Sequence, residues 1–187
     1  MTAARNTPAW CAVAVVIASQ VAVVLAQAPD FSGTWKLDAS RSRVTSAAGL
    51  AGLVGAGVPD TLHITQPANG ALFVESQINE SHARVYTPGG KSSTPAFVGQ
   101  AGKITMTSRW EGRSLVSEGS RESVSGTSTL VTEVKEVFGL SADGQTLTIE
   151  IATTGADAKS ASTALYSRTR DVGLCHTWPT PCKSPSR

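Results

Sequence analysis

Apolar and polar residues alternate with a period of two along most of the chain beyond residue 30, which is the pattern of half-buried β-strands. The clearest case is residues 103–111, where Ile104, Met106, Ser108 and Trp110 share one face and charged or hydroxyl residues share the other. This alternation predicts strands at residues 31–37, 60–66, 71–79, 82–86, 103–111, 114–119, 129–138, 145–153 and 163–170.

Short turn signals join several of these strands. Asn69-Gly70, Glu111-Gly112 and Asp143-Gly144 tolerate the positive φ angles of tight hairpins. Strands joined by short turns are antiparallel neighbours, because parallel pairs need long crossovers. We therefore predict an all-β fold, an antiparallel up-and-down barrel of about eight to ten strands, with a two-sheet sandwich as the alternative. The barrel is favoured because closure removes exposed sheet edges.

Residues 45–59 break the alternation. Leu50, Leu53, Val54 and Val58 follow a helical spacing, but four interspersed glycines oppose a helix. This segment is predicted to be a Gly-rich loop or a short apolar helix after the first strand. Leu50, Leu53 and Val54 are then lid candidates over one barrel opening, and direct membrane contact is the third alternative.

The N-terminus has the layout of a secretory signal peptide. Arg5 is the one charge before a nearly unbroken apolar run at residues 10–26, and small residues follow. We predict a signal peptide at residues 1–26, cleaved after Ala26 or Ala28, and hence a secreted or periplasmic protein without a membrane span. An uncleaved anchor is the alternative. The barrel domain is then residues 29–170, followed by a Pro-rich tail at residues 171–187.

Two cysteines lie in that tail. Cys175 and Cys182 in an exported chain predict a disulfide. A metal site that includes His176 is the alternative, but it lacks a fourth ligand and the usual cysteine spacing. We therefore predict no metal and no cofactor.

Composition narrows the functional classes. The chain has 187 residues, 16% of them charged, and a net charge of +2, which falls to about +1 when Arg5 is removed with the signal. A nucleic-acid binder would show a clear basic excess, and a charged disordered protein a larger imbalance. We expect a monomeric single domain that does not bind nucleic acid.

The segment FSGTWKLD at residues 31–38, followed by Arg41 and Ser42, resembles a family of small exported bacterial proteins with lipocalin-like barrels. The turn at residues 141–147 and the closing strand with Tyr166 resemble that family too. The resemblance implies a lipocalin-like barrel in which Gly33 and Trp35 form the G-x-W motif of the first strand. It further implies that the tryptophan packs across one barrel end against an arginine of the last strand. The candidates for that arginine are Arg168 and Arg170.

This sequence departs from the broader lipocalin pattern at two points. It has no Thr-Asp-Tyr turn motif, and no segment of helical period precedes the last strand. The resemblance therefore implies the fold rather than the ligand.

Motifs of known enzyme chemistry are missing from the sequence. It contains no G-x-S-x-G, H-E-x-x-H, C-x-x-C or phosphate-binding glycine motif, so we assign no catalytic residue. His63 falls on the polar face of its predicted strand, where a solvated histidine is expected. Glu136 falls on an apolar face between Val134 and Phe138. It is either buried beside a ligand, or exposed because the strand bulges or ends early.

The residues inferred to face inward are mostly apolar with a few hydroxyls, as in a small-ligand cavity. The candidate ligand-binding residues are Ser76, Met106, Ser108, Trp110, Thr132 and Glu136. The leading hypothesis is an exported barrel that binds a small, largely apolar molecule in its interior. One alternative is an envelope or extracellular protein-interaction or inhibitor-like barrel with a filled core. The other is a barrel enzyme built around Glu136 or a histidine.

Overall fold

The computed structural model describes residues 28–45, 58–78, 80–97, 100–156 and 158–170. These residues form ten strands: β1 (Gly33–Leu37), β2 (Thr61–Thr65), β3 (Leu72–Ile78), β4 (Glu80–Tyr86), β5 (Gly90–Phe97), β6 (Gln100–Glu111), β7 (Ser114–Ser125), β8 (Ser128–Leu140), β9 (Thr146–Thr154) and β10 (Lys159–Thr169). The predicted signal peptide, lid residues, tail and Cys175–Cys182 disulfide lie outside the described residues. In the described part of the chain, no helix is long and apolar enough to cross a membrane.

All ten strands belong to one antiparallel sheet in the order β4-β3-β2-β1-β10-β9-β8-β7-β6-β5. The edge strands β4 and β5 are consecutive in sequence, and Pro88 in the turn between them bridges to Ser108 on β6. The sheet curls far enough for Tyr86 of β4 to meet Phe138 of β8, with ring centroids 5.0 Å apart. The fold is therefore a nearly closed up-and-down barrel of the lipocalin-like type, as predicted, and not a two-sheet sandwich.

Several strand bounds differ from the prediction. β5 was not predicted, because GKSSTPAF has no apolar alternation and contains a proline. As an edge strand, β5 pairs only with β6, and its register shifts between Pro95 and Phe97. An edge strand tolerates proline because one of its sides has no ladder partner. β7 continues to Ser125, six residues beyond its predicted end, through a largely polar sequence. Backbone pairing with β8 along its whole length holds this extension.

One end of the barrel is filled by aromatic side chains, and we call it the packed end. Phe31, just before β1, stacks on Trp110 with centroids 5.9 Å apart and meets Phe138 edge-on at 6.5 Å. Trp35 and Tyr86 belong to the same buried cluster. The opposite end carries the tip of the β7–β8 hairpin, and we call it the hairpin end. There the large apolar residues Val124, Leu130 and Val131 are exposed.

The expectation that His63 is solvated is wrong. Its strand, β2, is buried on both faces, so His63 is only 1% exposed although it points away from Leu62 and Ile64. Its Nδ1 lies 3.2 Å from the hydroxyl of Thr34, also buried. Burial lowers the pKa of His63, because the charged imidazolium loses its hydration.

Candidate ligand-binding site

The inward side chains of β6, β7 and β8 form four cross-strand rows. From the packed end to the hairpin end these rows are Trp110–Leu115–Phe138, Ser108–Ser117–Glu136, Met106–Gly119–Val134 and Ile104–Arg121–Thr132. The rows follow from the β-strand period of two, which puts every second residue on the interior face. Apolar rows therefore alternate with rows that carry polar groups along one wall of the barrel.

The second row is a buried polar layer. The hydroxyls of Ser108 and Ser117 lie 2.9 Å apart and share a hydrogen bond. The phenol of Tyr86 reaches this row from β4 and donates a 2.7 Å hydrogen bond to Oε2 of Glu136. All four side chains are at most 1% exposed. The row thus places a carboxyl group between two apolar layers.

Burial dominates the electrostatics of Glu136. It raises the pKa of this carboxyl, while the charge of Arg84 and the bond from Tyr86 oppose the rise. The Arg84 guanidinium is itself buried and lies 5.5 Å from the centre of the Tyr86 ring. The pKa of Tyr86 is raised by burial and by the neighbouring carboxyl. Tyr86 therefore stays protonated and acts as a hydrogen-bond donor.

Tyr86 bonds only one of the two carboxyl oxygens of Glu136. Oε1 of Glu136 is buried and has no hydrogen-bond partner among the described residues. A buried acceptor without a donor costs about 1–3 kcal/mol, so such atoms normally have a partner. The site can accept a hydrogen bond from a hydroxyl, an amine or a water at this point.

The fourth row contains a second polar group. Arg121 shares the interior face of β7 with Leu115 and Ser117, and it pairs in register with Ile104 and Thr132. Its Nε is buried without a hydrogen-bond partner among the described residues. The interior wall thus carries an acceptor in the second row and a donor in the fourth.

The structure brings together most of the residues named from the sequence. Met106, Ser108, Trp110, Thr132 and Glu136 lie in the four rows. Glu136 is fully buried, so the alternative of an exposed carboxylate is wrong. Ser76 is also buried but lies on β3, in register with Leu62.

Sequence reasoning missed Arg84, Tyr86, Ser117 and Arg121 as parts of the site. Arg84 and Tyr86 lie two residues apart on a predicted strand, so they share a face, but nothing local shows which face is interior. Ser117 and Arg121 lie on β7, whose apolar alternation is weak. One sequence feature could have placed these two residues on the interior face. The turn at Gly112 pairs β7 with β6, whose apolar alternation is strong.

At the packed end, Arg168 and Trp35 are in direct contact. The guanidinium carbon lies 4.3 Å from the centre of the Trp35 ring. Arg168 also donates hydrogen bonds to the carbonyls of Ser32 at 2.6 Å and Gly144 at 2.9 Å. A Cβ on Gly33, which has φ of 140°, would lie 2.5 Å from Nη1 of Arg168. Arg170 is exposed at the end of the described chain.

Within the described ranges, no group of three or more histidine, cysteine, aspartate or glutamate residues is placed to hold a metal ion.

Comparison with known proteins gives a likeness of fold only. No protein-family model matches the sequence, and no curated protein matches it. Among solved structures, the chain is similar to the zebrafish ileal bile acid-binding protein crystallised with cholic acid. That similarity has a TM-score of 0.47 and 14% identity, and it covers 74% of this chain and 98% of that one.

Proposed function

We propose that the barrel binds a small, largely apolar molecule in its interior and holds one polar group of that molecule at Glu136. The observation that carries this proposal is the buried Oε1 of Glu136, which has no donor among the described residues. A ligand hydroxyl or amine that donates to Oε1 removes the cost of that unpartnered acceptor. Apolar rows on both sides of Glu136 supply the contacts for the rest of the molecule.

The polar layer also explains how one molecule would be oriented. Tyr86 fixes Oε2 of the carboxyl at 2.7 Å, so the remaining oxygen has a defined position. A hydrogen-bond donor that reaches this oxygen gains a directional contact, whereas the apolar body gains only burial. Few polar groups in a mostly apolar wall are typical of small-molecule sites.

Secretion or periplasmic export is part of the proposal. The support for it is the N-terminal pattern of one cation, an apolar run and small residues. The mass of the protein recovered from the producing cells or medium tests it, because cleavage after Ala26 or Ala28 removes a defined segment.

The binding proposal is tested first by native mass spectrometry of gently purified protein. We expect an additional mass that is lost on denaturation. Delipidated protein is then titrated with 1-dodecanol by calorimetry, and saturable binding is expected. Glu136→Leu should weaken this binding about fivefold, as the loss of one hydrogen bond predicts. Glu133→Gln is the matched control, because Glu133 is exposed on the same strand. A clean apo mass together with no saturable binding would contradict the proposal.

A second candidate is a protein-interaction barrel. The observation that favours it is the exposure of Val124, Leu130 and Val131 around one hairpin tip, with Leu130 55% exposed. Loss of a co-purifying protein in a Leu130→Ser, Val131→Ser double variant, with ligand binding unchanged, would support this candidate over the first.

A further inference from the structure

We infer that a second copy of this chain pairs with the free edge of β8 at the hairpin end and forms a two-fold dimer by antiparallel strand addition. The free edge is the side of residues 128–132 that faces away from β7. The inference concerns this edge and not the interior, so it goes beyond the proposed ligand binding and does not depend on it.

The β7–β8 hairpin extends beyond the neighbouring strand of the sheet. β8 begins at Ser128, but its pairing with β9 begins only at Glu133, opposite Thr154. Residues 128–132 pair with β7 on one side, and in the described part of the chain no strand pairs with their other side. About 17 Å of strand therefore presents backbone N–H and C=O groups to an incoming strand.

The terminal strands of the sheet carry residues that oppose pairing with another chain, and the free edge of β8 does not. β5 contains Lys91 and Pro95, and β4 contains Glu80 and Arg84. Charged residues and prolines on an edge strand work against strand addition. Residues 128–132 read STLVT, with no charge and no proline. This stretch is therefore open to pairing where the terminal edges are protected.

The free edge is compatible with a copy of itself. An antiparallel pair centred on Leu130 uses all five residues, so that Leu130 lies opposite the second copy's Leu130 and Thr129 lies opposite its Val131. Each such cross-strand pair contributes about 0.2–1 kcal/mol. Glu133, the first acid beyond the free edge, would lie opposite Thr127, so no like charges would face each other directly.

Strand addition also explains the exposed apolar side chains better than a lipid surface does. Leu130 is 55% exposed and Val131 is 52% exposed, on opposite faces of the hairpin. A bilayer could cover these side chains, but it would leave the backbone groups of the free edge without partners, which is costly in hydrocarbon. An added strand satisfies those groups and covers both side chains.

A second copy is favoured over a different protein because the hairpin tip has no charge with which to select one. Residues 123–132 contain no acidic or basic side chain, whereas complementary charges are what usually distinguish one partner from another. Five cross-strand pairs form a small contact, so we expect association at about 10 µM to 1 mM and a monomer at lower concentrations.

The test is sedimentation equilibrium of the protein recovered from the producing cells or medium, over about 10 µM to 1 mM. We expect the dimer fraction of the wild type to rise with concentration. Leu130→Lys and Leu130→Glu should each weaken association about tenfold or more, because each places like charges opposite each other. An equimolar mixture of the two variants should dimerise again, because lysine then faces glutamate.

Val44→Lys is the matched control, because Val44 is also an exposed valine, at 37%, but lies outside the hairpin. It should leave the association unchanged, and thermal melting of each variant checks that the barrel stays folded. A wild type that is monomeric throughout would overturn the inference. A dimer that persists in Leu130→Lys, or Leu130 variants that stay monomeric when mixed, would overturn it as well. A monomeric wild type that needs Leu130 to bind phosphatidylcholine vesicles, or to retain a co-purifying protein, would overturn it in favour of that occupant.

Discussion

Tyr86 and Glu136 are hydrogen-bonded at 2.7 Å although they lie 50 residues apart in sequence. Their strands, β4 and β8, are six positions apart in the sheet order. The bond forms because the sheet curls until its two halves face each other across the interior. It therefore couples barrel closure to the protonation of the buried Glu136 carboxyl group.

Removing the Tyr86 hydroxyl should destabilise the protein. Tyr86→Phe leaves Oε2 of Glu136 buried without its donor, which costs about 1–3 kcal/mol of unfolding free energy. Urea unfolding followed by circular dichroism measures this cost. In a Glu136→Leu background the same change should cost much less, because no carboxyl is left to satisfy. Equal costs in the two backgrounds would show that the bond is not formed in solution.

Glu136 should make the folded protein lose stability as the pH rises. Burial raises its pKa above the ordinary 4.5, so the folded state holds this proton more tightly than the unfolded state. The favourable contribution is complete below pH 4.5 and is lost as the pH rises through the raised pKa. Glu136→Gln, which cannot titrate, should therefore gain stability relative to the wild type across this window. Unfolding free energies of both proteins at a series of pH values check this, and a pH-independent difference would refute it.

The period-two pattern was sufficient to predict the barrel because most strands have one apolar and one polar face. It failed at β5, which is held by backbone pairing to β6 and carries no apolar alternation. It also failed at His63, because the outward face of β2 is covered at this central position and the histidine is buried there. Whether an outward-facing side chain is buried depends on tertiary contacts, and the sequence pattern of a single strand does not predict those contacts.

The period-two alternation also predicted part of the candidate ligand-binding site. Glu136 stood out as a charge on an apolar face, and its neighbours Met106 and Ser108 followed from the alternation of β6. Tyr86 did not, because its contact with Glu136 depends on how far the whole sheet curls. That curvature is a property of the closed barrel, so a local pattern could place Tyr86 on a strand but not beside Glu136.

Gly119 should not tolerate a side chain. A Cβ at this position would overlap the carbonyl oxygen of Thr105 on β6 and lie 2.8 Å from its carbon, and backbone atoms cannot move aside easily. Gly119→Ala is expected to cost about 3 kcal/mol of unfolding free energy. Gly139→Ala on β8 is the matched control, because no atom lies within 4 Å of its added methyl. Similar melting temperatures for the two variants would show that β6 and β7 are less closely apposed at Gly119.

Arg168 should hold the packed end together through three groups at once. Its guanidinium covers the Trp35 ring and bonds the carbonyls of Ser32 and Gly144, which belong to separate segments. Arg168→Met keeps the apolar stem but removes these bonds and the cation over the ring, for an expected cost of about 2 kcal/mol.

Arg170→Met tests whether this cost comes from the contacts or from the loss of a positive charge. Arg170 is exposed two residues further on, so its replacement should change the unfolding free energy by less than about 0.5 kcal/mol. In a Trp35→Ala background, Arg168→Met should reduce the unfolding free energy by a smaller amount, because the ring that the guanidinium covers is absent. If Arg168→Met and Arg170→Met melt at the same temperature, the packed end is closed by the aromatic cluster of Phe31, Trp110 and Phe138 without help from the arginine.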